Sequence, residues 1–173
     1  MKILVAFLTL WVGLILEATI FQIPPMNVIH PNLVLVVLIL VALTRGPKTA
    51  LVLGVIIGLV QDVDYGQFIG LNAFAFGVVG YFAGTAFTQF LHRNVAITFL
   101  ITVIFTFLHV WITYGMTRMF DVTAYSGTVV LAKSLWQMIV NGIVVLMFYP
   151  WMVKWFTDRA RSKYADVDGE SAS

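Results

Sequence analysis

The chain has no cysteine. Disulfides, thiolate metal sites, cysteine nucleophiles and lipid attachment at a thiol are thereby excluded. Charge is nearly as scarce, at 10% of 173 residues, where a soluble domain carries about a quarter. Hydrophobic residues make up 61% and the mean hydropathy is +0.97. The chain is therefore an integral membrane protein, a single domain with little outside the bilayer. Patterns that carry catalysis are also missing. There is no HExxH, GxSxG or P-loop, and His30, His92 and His109 stand far apart, with no carboxylate at metal-ligand spacing. No enzymatic activity, cofactor, metal or nucleic-acid partner is expected.

What is present is a series of apolar runs. Their punctuation predicts an all-α bundle of six transmembrane helices at 3–20, 32–44, 47–61, 70–91, 94–117 and 128–153, followed by a polar tail at 154–173, disordered toward its end. The first run opens like a signal peptide, but no small-x-small cleavage site follows it, so it reads as a retained span. Pro24-Pro25 closes it and His30-Pro31 precedes the second. Helices 2 and 3 are short. Helix 2 reaches about 20 Å against a hydrocarbon core of about 30 Å. It must be buried among the others or continued by its loops.

Placing both termini in the cytoplasm puts Lys2, Arg45, Lys48, Arg93, Lys154, Arg159, Arg161 and Lys163 on the inner side. Only Arg118 and Lys133 fall outside, as the positive-inside rule asks. Glu17, Asp62, Asp64 and Asp121 all lie at the outer end. The basic tail is a topology determinant near anionic lipid.

The stretch Ala50–Gly84 organises the bundle. On helix 3, Ala50, Gly54, Gly58 and Asp62 recur every four residues and share a face. On helix 4, Ala73, Gly77, Gly80, Gly84 and Thr88 form a second small-residue face. Lipid offers no hydrophobic drive between helices, so close backbone approach is a main route to association. The two faces are expected to pack on one another, through the turn that holds Gly66, Gly70 and Asn72. Asp62 either faces the aqueous interface or is buried, capping the Tyr65–Leu71 turn through backbone N–H groups.

Polar residues also lie at membrane depth. Helix 5 carries a seam of Thr98, Thr102, Thr106, His109, Thr113 and Thr117; helix 6 carries Lys133, Gln137 and Asn141. Two readings stand. The threonines bond to their own helix while Gln137 and Asn141 join neighbours, or Asn72, His109, Lys133, Gln137 and Asn141 reach an outward-opening polar cavity between helices 4, 5 and 6. Glu17 needs a partner, and Lys133 and Arg118 are the basic residues on its side.

Gly54, Gly58, Leu59 and Asp62, then Gly66, Gly70-Leu71-Asn72-Ala73, Phe76 and Gly80-Tyr81, resemble the core signature of the MreD family of bacterial rod shape-determining proteins. Pro31-Asn32-Leu33-Val34-Leu35 resembles the element that opens that family's second helix, and the likeness covers nearly the whole chain. Gln61 stands where the family more often has an apolar residue. The resemblance implies a non-enzymatic scaffold in the bacterial cytoplasmic (inner) membrane. Such a scaffold binds MreC, a single-span protein, and works with cytoplasmic MreB and with the RodA glycosyltransferase and its partner transpeptidase in lateral peptidoglycan synthesis. A small-molecule ligand is not part of that picture. The family fold is also similar to the substrate-binding S-components of energy-coupling-factor vitamin transporters, which supplies an alternative function. Against it, helix 1 lacks the Ala-x-x-x-Ala docking motif, since Ala6 is followed by Leu10 and Thr9 by Gly13.

The topology is testable. A phosphatase active only outside the cytoplasm should be active when fused after Asp121 and inactive after Lys48 or Arg93. Activity at Lys48 would reverse the orientation.

Overall fold

A computed structural model describes residues 2–19, 31–89 and 94–170, with side chains in the last helix described as far as Pro150. Among these residues there are six helices and no strand: α1 Lys2–Thr19, α2 Leu33–Arg45, α3 Pro47–Tyr65, α4 Leu71–Gln89, α5 Val95–Met119 and α6 Gly127–Glu170. Pro24-Pro25, His30, the final residues expected of helix 4 and Arg93 lie outside the described residues.

Two boundaries differ from expectation. α3 continues past Gln61 to Tyr65, which puts Asp62 inside its last turn. α6 continues beyond Val153, through Pro150, to Glu170, where the sequence predicts a disordered tail. Proline removes one N–H donor, yet the remaining backbone bonds carry the helix past it.

Three helices hold segments long and apolar enough to cross a bilayer by themselves: Leu71–Thr88, Val95–Met119 and Gly127–Pro150. α1 is apolar but shorter, and α2 has only 13 residues. α2 nevertheless sits at the centre, against every other helix. Val34, Leu35, Val36, Leu38, Ile39, Leu40, Val41 and Ala42 are all buried. A 13-residue rod of about 20 Å is hydrophobic nearly all round because it has neighbours on most of its circumference. Around it the others follow in the order α1, α3, α4, α5, α6; among the described residues α6 does not close back onto α1.

The turn from α2 to α3 is a single residue. Gly46 ends α2, with its N–H on Ala42 O at 3.0 Å, and is followed directly by Pro47 at the first position of α3. Its φ of +84° lies in the region that favours glycine.

α3 and α4 run antiparallel and nearly backbone to backbone. A Cβ built on Gly58 would lie 2.5 Å from Ala73 Cα, and one on Gly54 2.7 Å from the Phe76 carbonyl oxygen. From the other side, a Cβ on Gly80 would lie 2.8 Å from the Ala50 oxygen, and one on Gly84 2.5 Å from Pro47 Cα. Gly77 faces the Val55 side chain instead. The apolar core then joins Leu10 and Leu14 of α1, Leu35, Leu38 and Ile39 of α2, Leu53 and Ile57 of α3, and Phe76, Val79 and Ala83 of α4. Val36 and Leu40 pack separately with Val145 and Tyr149 of α6.

Because the atoms opposite Gly58 are backbone, they cannot rotate away. Gly58→Leu should destabilise the protein by about 3 kcal/mol or more, at or beyond the usual range for overpacking. Gly115→Leu, whose Cβ would meet nothing within 4 Å, should cost far less. Unfolding in a denaturing-detergent titration compares the two, and equal losses would contradict the close approach.

Candidate functional site

The small-residue face of α3 points Asp62 at the start of α4, where helix-terminal N–H groups need acceptors. Its carboxylate is buried, 4% exposed, and takes three of them. Oδ2 accepts from Gly70 N–H at 2.9 Å and Ala73 N–H at 3.1 Å, and Oδ1 from Asn72 N–H at 2.9 Å. Gly70, with φ +103°, turns the chain so that its own N–H joins the set. Gly66 closes α3, its N–H on Asp62 O at 3.1 Å, and a Cβ there would strike the Asp62 backbone at 2.6 Å. Asp64 is exposed.

Glu17 does the equivalent for α2. Its carboxylate accepts from Val34 N–H at 3.4 Å, with Leu33 N–H as the second backbone partner. This corrects the expected ion pair. Among the described residues Glu17 pairs with neither Lys133 nor Arg118; its carboxylate is turned to the positive end of α2 instead. In both hairpins, then, a carboxylate in the last turn of one helix closes the first turn of the next.

Asn141 completes the α2 start. Its Oδ1 accepts from Asn32 N–H at 2.9 Å and its Nδ2 donates to Thr106 Oγ1 at 3.2 Å, both bonds buried. Asn32 Oδ1 in turn accepts from Leu35 N–H at 2.8 Å. One side chain of α6 thus ties α2 to α5. Thr98, Thr102, Thr113 and Thr117 bond to carbonyls of their own helix or its cap, the first of the two readings of that seam.

The second reading also has a counterpart. Beside these caps lies a cavity of about 580 Å³, between the N-terminal end of α2, the α3–α4 turn and the facing parts of α5 and α6. Of the residues expected in it, Asn72, His109, Lys133 and Gln137 line it. Asn141 does not; it is spent on the strut to Asn32 and Thr106. Asn32, Gln61, Gln67, Tyr114 and Tyr125 line it as well and were not anticipated. Gln61 was legible only as the polar residue beside Asp62, and Tyr114 as a tyrosine flanking the threonine seam. Phe76 stacks on His109, ring centroids 4.7 Å apart at 15°, fixing the imidazole against α4. Tyr114 Oη donates to Tyr125 O at 3.2 Å and holds the α5–α6 connection. Among the described residues no three of His, Asp and Glu come together as a metal site.

A family model described as rod shape-determining protein MreD matches residues 1–159, a span that contains all of these features up to the far end of α6. The chain belongs to the MreD family. It is 29% identical over 105 residues to the rod shape-determining protein MreD of Bacillus subtilis strain 168, and the match covers 60% of either chain. The chain therefore spans less than two thirds of that relative's length in the match. No solved structure matches. As an MreD family member with helices of membrane-spanning length, the chain is a multi-pass protein of the bacterial inner membrane.

Removing the Asp62 carboxylate strands three amides, each costing about 1–3 kcal/mol when buried without a partner. Asp62→Ala should therefore destabilise more than Glu17→Ala. In a double-mutant cycle, Glu17→Gln and Lys133→Met should be additive within about 0.5 kcal/mol, as for residues without contact. A clearly larger coupling would reinstate the ion pair.

Proposed function

We propose that this family member is a non-enzymatic scaffold of the bacterial cell-shape machinery, which binds MreC in the membrane and links cytoplasmic MreB to peptidoglycan synthesis by RodA and its transpeptidase partner. The observation that carries the proposal is the family match over residues 1–159, under a name that denotes shape determination. The fold is compatible with this role. Its interior small-residue faces are consumed by the α3–α4 contact, which leaves lateral binding to outward surfaces.

The outward surfaces of α1 and α6 are the proposed docking faces. α1 presents Leu4, Leu8, Trp11, Val12 and Ile15; α6 presents Leu135, Ile139, Ile143, Leu146 and Met147. Among the described residues these two helices do not touch. Between them α2 keeps Val37, beside Gly13 of α1, and Leu43, beside the α6 cluster, only half-buried. Packing and interhelical hydrogen bonds, not hydrophobic drive, would hold a single-span partner there. The polar cavity favours a second reading, a substrate-binding subunit of a vitamin transporter, although helix 1 lacks the docking motif of such subunits.

Depletion separates the two. Rod-shaped cells should round up if the chain is a scaffold; unchanged shape with a new vitamin requirement would favour transport. Since the chain has no cysteine, single cysteines at Leu8, Ile56 and Leu146 report the docking face without background. Crosslinks to MreC from Leu8 or Leu146, with none from Ile56 on α3, are expected. Folded protein that crosslinks from no position would exclude direct docking.

A further inference from the structure

The cavity has an unbalanced lining. Among the described residues, Lys133 is the cationic side chain of fixed charge that lines it, and no carboxylate does. The nearby acids are engaged elsewhere, Asp62 on three amides and Glu17 on the start of α2. Lys133 is exposed and shares the cavity wall with His109.

Two further atoms point the same way. Gln61 Oε1 and His109 Nε2 are buried and have no hydrogen-bond partner among the described residues. Both residues are 6% exposed and both line this cavity. A buried polar atom without a partner is costly, and native structures rarely keep two on one cavity unless an occupant satisfies them. At about 580 Å³ the space matches sites for small molecules and headgroups. Its position beside the ends of α2, α3 and α4 puts it near the level where headgroup phosphates and interfacial tyrosines lie.

We infer that the cavity is a binding site for a phosphate ester that also carries hydroxyl groups, a glycerophosphate-type group. The phosphate lies against the Lys133 ammonium, and a hydroxyl donates to Gln61 Oε1. His109, clamped by Phe76, supplies the remaining hydrogen bond. Gln61 demands a donor and Lys133 demands an anion, so an anion without an O–H group, such as sulfate, satisfies only half of the lining. The same chemistry comes from two sources, a lipid headgroup entering from the bilayer or a soluble phosphate ester entering from water. The inference rests on the cavity alone and holds for a scaffold or a transporter subunit.

The test uses the full-length protein in nanodiscs of phosphatidylcholine and reads its thermal unfolding midpoint. One arm adds phosphatidylglycerol to the bilayer, and the other adds soluble glycerol 3-phosphate. A saturable rise of several degrees in either arm is expected, and the arm that shows it identifies the source. Lys133→Met should raise the half-saturating amount at least tenfold. Gln61→Leu should do the same for these hydroxylated ligands while leaving any response to sulfate, which has no O–H to donate, unchanged. If neither arm moves the midpoint, or if both variants respond like the unaltered chain, the cavity holds water only and the inference is overturned. Because the readout is binding by isolated protein, its failure leaves the cell-shape proposal standing, and the reverse also holds.

Discussion

A backbone N–H in a bilayer has no water to turn to, so every helix start must find its acceptor within the protein. This chain meets that demand with carboxylates sent from the preceding helix. Asp62 closes α4 and Glu17 closes α2, while Asn141 adds the amide of Asn32. Carboxylates are the most expensive groups to bury; both oxygens of buried Asp62 meet donors at the positive end of α4, and half-buried Glu17 accepts from the start of α2. Had Asp62 pointed at lipid or water, the turn into α4 would carry several unpaired amides.

The reach of Asp62 depends on the glycines. A carboxylate on one helix touches the first turn of the next only when the two axes are close, and Gly54, Gly58, Gly80 and Gly84 allow that approach. Packing and polar satisfaction are thus a single device in this hairpin. The α1–α2 hairpin is a looser version, where Gly13 meets Val37 at ordinary contact distance and the Glu17 bond to Val34 is longer.

The central helix explains the cavity. α2 extends about 20 Å, whereas α5, with 25 residues, extends about 37 Å. A short rod at the middle of longer ones leaves volume beyond one of its ends, and Asn32, the residue that caps α2, lines the space. Most threonines of the α5 seam bond to carbonyls of their own helix, so much of the polarity of the cavity comes from His109, Lys133 and the side-chain amides of Asn32, Gln61, Gln67, Asn72 and Gln137.

Much of this was readable in the linear chain. Composition decides the solvent, proline and glycine punctuation marks the six helices, and a period of four exposes the stripe from Ala50 to Asp62. Those features are local or periodic, and a helix converts period into a face without help from its neighbours. The partner of Glu17 was not readable, because matching charge with charge suggests Lys133 or Arg118 while its true donors are backbone amides, which every residue has alike. For the same reason the sequence shows that Asn141 and Gln61 are polar but cannot tell a strut from a cavity wall. Which of them meets a donor and which faces empty volume depends on how far α2 falls short of α5 and on the rotation of α6 against both, quantities that only three-dimensional packing sets.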